Sequence, residues 1–217
     1  MTPTTLLSSV LSPSRPPSRH LLAVLCLALL LAGPTTAQAH LVSTRFGDFY
    51  GGVLHPLTAF EHVLPWLAMG ILAGMQGPKC GRWILLAFPF GLAVGTTFAL
   101  VIHQEPLVST LNIASFVLVG ALVAAAWRLP QSVLIVLGVA LGLTHGYENG
   151  TAMTAETNTL LFVSGVACVG YVVIALVTAS TVAFLRGDAW RRIALRALGS
   201  WVTAIGIMLI AFRLAAR

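Results

Sequence analysis

The sequence predicts an all-α membrane protein, with six transmembrane helices in one bundle after a cleaved N-terminal signal peptide. Of its 217 residues, 58% are hydrophobic and 8% are charged, whereas soluble domains average about 25% charged residues. The mean hydropathy is +0.93, and the apolar residues form long runs without the alternation typical of a membrane β-barrel. The net charge of +6 comes from short basic clusters between these runs. Such clusters are membrane topology signals, so we expect no nucleic-acid partner.

The first 39 residues have the organisation of a secretory signal peptide. A basic, acid-free segment precedes an apolar run at 21–32, which is too short to span a bilayer comfortably. Ala37-Gln38-Ala39 then provides a small-x-small cleavage site. We therefore divide the chain into a signal peptide, 1–39, and a transmembrane domain, 40–217. The mature chain is expected to begin at His40, and an uncleaved N-terminal anchor is the alternative.

Six apolar segments follow, each close to the roughly 20 residues that a spanning helix needs. They are 53–75, 83–102, 106–127, 131–146, 160–185 and 193–214. Pro65 and Pro89 lie inside the first and second segments and are expected to kink them. Glycines spaced four residues apart in the second and fourth segments predict close helix packing. These glycines are Gly91, Gly95, Gly138, Gly142, Gly146 and Gly150.

The basic residues orient the predicted bundle. A cleaved signal peptide places His40 in the periplasm, and short connections between antiparallel helices then assign each loop to a side. Seven basic residues fall on the cytoplasmic side: Lys79, Arg82, Arg128, Arg186, Arg191, Arg192 and Arg196. Three fall outside: Arg45, Arg213 and Arg217. This distribution obeys the positive-inside rule and predicts a multi-pass protein of the bacterial inner membrane with a periplasmic mature N-terminus.

Polar residues interrupt the first apolar segment at 55–62, which reads HPLTAFEH. On one continuous helix, His55 and His62 would share a face and lie roughly 10 Å apart along the axis. Pro56 suits the first turn of such a helix, so His55 would mark the outer entrance and His62 a deeper position. Ionisable groups in a membrane segment are costly and usually face a cavity or a partner. With Glu61, we interpret the two histidines as one wall of a path for a divalent transition metal.

A second polar cluster closes the fourth segment at 143–150, LTHGYENG. If this stretch is helical, His145 and Glu148 are three residues apart and share a face. Alternatively, its glycines unwind the turn where the backbone lines a cavity. A hydrogen-bonded interfacial histidine is the other interpretation of His145. Asn112 and Thr96 or Thr97 are candidates to donate hydrogen bonds to these groups, or equally to bind neighbouring helices.

The predicted orientation gathers five histidines and five acids at the outer side, which would attract cations. Imidazole and carboxylate ligands suit nickel, cobalt, copper or zinc. His40 would offer an α-amine and an imidazole together, a pair that can chelate a metal, and an incidental Ala-His junction is the alternative. His103, in a tight outer loop with Glu105, is interpreted first as a solvated group and only secondarily as a ligand.

The two clusters resemble those of the HupE/UreJ membrane proteins, which are nickel permeases and accessory proteins of hydrogenase and urease systems. That family carries an HPxxGxDH-like motif in its first mature helix and an HGxAHGxE-like motif in its fourth. By position, the resemblance implies that His55, Glu61, His62, His145 and Glu148 are metal-path residues. The sequence departs from these patterns at Ala59 (for Gly), Glu61 (for Asp) and Leu141 (for the first His).

The resemblance implies a secondary permease that admits a divalent metal, foremost Ni²⁺, from periplasm to cytoplasm to supply hydrogenase or urease maturation. A non-transporting accessory protein that binds metal for a hydrogenase is the alternative. We expect no prosthetic group, with the metal as transported cargo, and maturation proteins and the lipid bilayer as partners. An intramembrane metallohydrolase is disfavoured, because the sequence has no HExxH motif and no second carboxylate placed as a general base, so we do not expect an enzyme.

Overall fold

The structure is a computed structural model that describes residues 39–102 and 106–215, with side chains from residue 47 onward within those ranges. The predicted signal peptide, 1–39, falls outside the described residues except for its last position. Helices joined by turns and short connections make up the described residues, with no strand within these ranges. Seven helices follow one another. They are α1 (Ala39–Thr58), α2 (Phe60–Met75), α3 (Pro78–Phe98), α4 (Pro106–Ala125), α5 (Gln131–Gly150), α6 (Thr159–Phe184) and α7 (Trp190–Ala215).

Four of these helices, α3, α4, α6 and α7, are long and apolar enough to cross a membrane. A fifth span results if α1 from Gly47 and α2 are counted together, although they meet at an angle of 80°. α5 is helical throughout the predicted fourth segment, but it is not among the helices that meet the length and hydropathy requirement. The protein is therefore a multi-pass, all-helical membrane protein with four or five candidate spans among the described residues.

The prediction of one continuous helix over 53–75 was wrong. The helix ends at Thr58, Ala59 has an extended backbone (φ −101, ψ 110), and a new helix begins at Phe60. Pro56 lies in the last turn of α1 rather than in the first turn of a spanning helix. A proline there has no backbone N–H to donate within the helix, and at the end of the helix the Thr58 hydroxyl donates to the His55 carbonyl at 3.0 Å. The break thus falls at Ala59, whereas Pro65 lies inside α2.

The predicted glycine packing is confirmed between α3 and α5. A Cβ added at Gly91 would lie 2.5 Å from the Val139 carbonyl oxygen, and one at Gly150 would lie 2.5 Å from that of Thr96. Added Cβ atoms at Gly95, Gly142 and Gly146 would likewise run into facing backbone. Close approach of two helix backbones is what small residues at regular spacing permit in a bilayer.

The remaining helices pack around this pair. α6 lies against α1, α2 and α3, and α7 lies against α4. The buried core contains Trp66, Met69, Phe88, Leu92, Val166 and Ile174. Side-chain contacts between α1 and α2 and between α2 and α5, and a hydrogen bond from α5 to the segment just before α4, place the C-terminal ends of α1 and α5 and the N-terminal ends of α2 and α4 at one end of the bundle. That end carries the polar clusters of the sequence.

Candidate functional site

The centre of the polar end is a pair of buried histidines on different helices. His62 lies in the first turn of α2, and His145 lies near the end of α5, with exposed fractions of 2% and 0%. Their Nδ1 atoms are 3.0 Å apart, which is hydrogen-bonding distance. The sequence motifs that contain them, far apart in the chain, therefore meet in space. α5 stays helical through Gly150, which excludes the unwound alternative for this turn.

The pair is connected to α4 through a serine. The other ring nitrogen of His145, Nε2, lies 3.1 Å from the Ser115 hydroxyl oxygen. The Ser115 hydroxyl donates to the backbone carbonyl of Asn112 at 2.6 Å. Ser115 is 5% exposed, so a hydroxyl in this apolar helix is buried with its hydrogen-bonding capacity used.

Asn112 extends the same network to the second acidic candidate. Its side-chain amide donates to the Glu148 carboxylate and to the backbone carbonyl of Thr144 at 3.1 Å. This bears out Asn112 as the predicted hydrogen-bond donor. Glu148 is half-buried, one turn beyond His145 on α5. His62, His145, Ser115, Asn112 and Glu148 form what we call the polar cluster.

Some buried polar atoms around the cluster have no hydrogen-bond partner among the described residues. They are the Trp66 indole nitrogen Nε1 and the side-chain oxygens Oδ1 of Asn112 and Asn149. The Trp66 ring centroid lies 6.4 Å from that of His62 and 6.5 Å from that of His145. Such atoms usually bond to buried water or to a ligand. The surroundings of the cluster therefore contain hydrogen-bond donors and acceptors that could bind a water molecule or a ligand.

His55 lies next to the cluster from the other side of the helix break. Its ring centroid is 6.4 Å from that of His62 and 6.5 Å from that of Phe162 on α6. On one continuous helix, the two imidazoles were predicted to lie about 10 Å apart along the axis. The break at Ala59 instead folds α1 back, so the rings approach from two helices, and His55 is half-buried.

Glu61 is the predicted site residue that the structure leaves apart. It is exposed, and no hydrogen bond ties it to the polar cluster among the side chains that the structure describes. Its position in the first turn of α2 is one where a carboxylate is stabilised by the partial positive charge of the helix N-terminus. Its place on a metal path therefore stays a prediction.

Two of the weaker candidates cannot be placed. The His40 side chain and the whole of His103 and Glu105 lie outside the described residues. The chain just before His103 is nevertheless located, because the Tyr147 hydroxyl donates to the Ile102 carbonyl at 3.1 Å. Tyr147 lies between His145 and Glu148 in sequence, so the outer loop starts beside the polar cluster.

Two further acids lie at the same end, Asp48 in α1 and Glu156 in the loop before α6. The Asp48 carboxylate accepts a hydrogen bond from the Asn158 backbone at 2.7 Å, which joins α1 to the start of α6. Glu156 lies in the exposed loop before α6, where a side-chain hydrogen bond from Thr154 lowers the pKa of its carboxyl. Glu156 is therefore ionised at neutral pH and leaves a negative charge at this end of the bundle.

Ser115 and Trp66 were not among the site residues predicted from the sequence. Each carries polar atoms in an otherwise apolar helix, and Ser115 follows Asn112 by three residues on the same helix face. That spacing was the available signal for Ser115. Trp66 has no such signal, because an indole is equally common as a core residue.

Imidazole nitrogens and a carboxylate are ligands that divalent transition metals accept. The part of the chain that the structure describes does not, however, contain a group of three or more His, Cys, Asp or Glu side chains arranged to hold a metal ion. The polar cluster is a hydrogen-bonded network of two imidazoles, a hydroxyl, an amide and a carboxylate, buried at one end of a membrane bundle.

The fold and this cluster define a multi-pass membrane protein with ionisable groups buried between its helices. Comparison with known proteins is more specific: the family model HupE / UreJ protein matches residues 26–209. The chain therefore belongs to the HupE/UreJ family, which is associated with nickel or cobalt uptake or with accessory roles in hydrogenase and urease systems.

One curated relative supports the same assignment. It is Protein HupE of Rhizobium leguminosarum bv. viciae, which is 27% identical over 135 residues, covering 62% of this chain and 70% of the relative. No solved structure matches the chain.

Proposed function

We propose that this protein is a secondary permease that admits a divalent transition metal ion, foremost Ni²⁺, from the periplasm to the cytoplasm. The cargo would supply the maturation of a hydrogenase or urease. The observation that carries the proposal is the buried contact between His62 and His145, which joins the two sequence motifs at one end of the bundle. Ionisable groups inside a membrane protein usually mark the route of an ion or proton.

The proposal includes the finer topology that the sequence predicts. Six spans result if the broken helix formed by α1 and α2 crosses once and α5 also crosses. α5 carries two buried polar side chains, His145 and Asn149, and is packed tightly against α3. A helix of that kind need not be apolar on every face, because protein rather than lipid surrounds it. The mature N-terminus would then be periplasmic and the polar cluster would open to the periplasm.

The metal-path residues follow from this arrangement. His55 is the outer imidazole and His62 the inner one, so a hydrated ion would exchange water for nitrogen ligands in two steps. Glu148 would balance the positive charge of the ion within the cluster, and Glu61 would act at the exposed surface. His40 and His103 remain candidates at the entrance, from the mature N-terminus and the outer loop.

The membrane potential supplies a sufficient driving force. A divalent ion moving inward through 100 mV gains about 4.6 kcal/mol, since each charge gains about 2.3 kcal/mol. The sequence contains no Walker-type phosphate-binding loop. The proposed transport is driven by the membrane potential and does not use a nucleotide.

The proposal is tested by uptake of radiolabelled nickel into proteoliposomes that contain the purified protein under an inside-negative potential. Cobalt, zinc and copper are added as competitors to rank the ions. We expect His62→Ala to reduce uptake to the background of empty liposomes and Glu148→Gln to reduce it strongly. Asp188→Asn is the matched control, because Asp188 is an exposed acid beyond the far end of α6.

The same experiment distinguishes the accessory role. A protein that binds nickel in equilibrium dialysis but carries none into liposomes would be an accessory or assembly protein. Uptake by His62→Ala at the rate of the parent would remove the polar cluster from the proposed path.

A further inference from the structure

The polar cluster contains one hydrogen bond whose direction is fixed by chemistry. A carbonyl oxygen only accepts, so the hydroxyl of Ser115 must donate to the Asn112 carbonyl across their 2.6 Å contact. A serine hydroxyl has one hydrogen atom. At its second contact, 3.1 Å from Nε2 of His145, the Ser115 oxygen is therefore the acceptor.

This direction fixes the tautomer of His145. Because Ser115 accepts, Nε2 of His145 carries the hydrogen atom. His145 is fully buried, where a charged imidazolium is costly, so the ring is neutral and holds one ring hydrogen. Its Nδ1 is then an unprotonated acceptor.

The tautomer of His62 follows from that of its neighbour. Across the 3.0 Å contact between the two Nδ1 atoms, one atom must donate and the other accept. Since Nδ1 of His145 accepts, Nδ1 of His62 carries the hydrogen atom. The neutral His62 ring then has its lone pair on Nε2, the nitrogen not used in this contact.

From this chain of hydrogen bonds we infer that His62 Nε2 is the atom that binds the transported divalent cation. His145 and Ser115 are positioning residues that keep the lone pair on that nitrogen. His145 has both ring nitrogens occupied and is fully buried, whereas His62 keeps 2% of its surface exposed and lies beside His55. The inference rests on the proposed function and deepens it, by separating a ligand from the residues that orient it.

A metal-binding histidine commonly donates its other ring N–H to a neighbouring acceptor, which fixes its tautomer. The usual acceptor is a carboxylate or a backbone carbonyl. Here the acceptor is a second imidazole, His145, whose own tautomer is fixed by Ser115 on a third helix. The correct tautomer of His62 therefore depends on α2, α4 and α5 being docked together.

The first test is spectroscopic and needs no metal. The full-length protein is labelled with ¹⁵N-histidine in lipid nanodiscs, and two-bond proton–nitrogen correlations identify the protonated nitrogen of each ring. We expect hydrogen on Nδ1 of His62 and on Nε2 of His145. The reverse assignment for either ring would overturn the inference, whether or not the protein transports nickel.

The second test uses two substitutions of similar size at position 145. His145→Asn places an amide oxygen near the position of Nδ1, so an acceptor for His62 is kept. His145→Gln reaches towards Ser115 but leaves no acceptor for His62. With Ni²⁺ as the titrant in calorimetry of the nanodisc protein, His145→Gln should weaken binding roughly 10- to 100-fold, and His145→Asn should bind within a few-fold of the parent.

Equal loss of nickel binding in both variants would show that His145 is itself a ligand and would overturn the inference. Unchanged binding in His145→Gln would overturn it too, because His62 would then need no acceptor. Ser115→Ala is the third variant: His145 loses its fixed acceptor, so we expect the His62 signal to divide between two tautomers. Ser115→Thr, which keeps a hydroxyl, should restore one signal, and a single His62 tautomer in Ser115→Ala would also contradict the inference.

If the parent protein binds nickel through His62 as described but fails to carry it into liposomes, only the proposed permease activity fails. The predicted ring tautomers are measured independently of transport, so the two proposals can be separated.

Discussion

At the scale of single residues, Asn112 holds the acidic end of the polar cluster in place. Its amide donates both to the Glu148 carboxylate and to the Thr144 carbonyl, and the residue is 2% exposed. A half-buried carboxylate that loses a donor has part of its desolvation cost left without compensation. One amide therefore connects α4 to the end of α5 that carries His145.

Replacing Asn112 by Ala should destabilise the protein by about 1–3 kcal/mol, because Glu148 and the Thr144 carbonyl both lose a donor. The change appears as a lower midpoint in thermal unfolding of the detergent-solubilised protein. Thr110→Ala is the control on the same helix, since the Thr110 hydroxyl is exposed and bonds only to its own helix at Pro106. Equal midpoints for the two variants would contradict this account of Asn112.

The residues of the site were only partly predictable from sequence. His62, His145 and Glu148 stand out as ionisable groups in apolar segments, so their gathering at one end could be expected from antiparallel helices. Which of these side chains touch could not be predicted, because contact between two rings depends on the rotation of each helix about its axis. Ser115 was overlooked for the same reason: a hydroxyl in a membrane helix becomes informative only once its neighbour is known.

At the scale of the helices, the break between α1 and α2 and the glycine contacts of α3 with α5 position the site. The glycine spacing was readable because four-residue periodicity places small residues on one face of a helix. The helix break at Ala59 could not be predicted from the sequence. A single apolar run with an internal Pro56 is compatible with a helix start, an interior kink or an end, and the sequence pattern does not distinguish these three.

Gly142 provides the test of the tight contact between α3 and α5. A Cβ there would meet the Phe88 carbonyl oxygen, the Gly91 Cα at 2.9 Å and the Leu92 nitrogen at 2.9 Å, none of which can move without shifting the helix. We expect Gly142→Val to cost about 1–3 kcal/mol through overpacking, measured as a fall in the unfolding midpoint.

The matched control lies one turn earlier on the same helix face. A Cβ at Gly138 would first meet the flexible end of the Ile84 side chain at 3.1 Å, so Gly138→Ala should be tolerated. A midpoint for Gly142→Val equal to that of the parent would show that α3 and α5 are not held at the described distance.

At the scale of the whole molecule, the prediction concerns which side of the membrane the polar end faces. The basic residues and the signal peptide both predict a periplasmic polar end. In intact cells, with the free cysteines Cys80 and Cys168 replaced by Ser, an impermeant maleimide should label Glu156→Cys in the loop before α6. It should label Asp188→Cys in the loop after α6 only once the membrane is permeabilised. The opposite labelling pattern would show that the bundle has the inverse orientation in the membrane, so the proposed path would lead out of the cell.

The far end of the bundle has a consequence for the cluster. The Gln76 side chain donates to the Trp127 carbonyl at 2.9 Å and accepts from the Leu129 backbone at 3.1 Å, so the end of α2 is fastened to the connection between α4 and α5. Away from this end, α2 and α5 carry His62 and His145, and the middle of α4 carries Ser115. Gln76 and His62 lie about 21 Å apart along α2 at 1.5 Å per residue. A tilt of α2 by about 3° about its Gln76 end therefore displaces the His62 ring by about 1 Å. A displacement of that size is enough to break the contact between the His62 and His145 imidazoles while the hydrogen bonds of Gln76 stay in place.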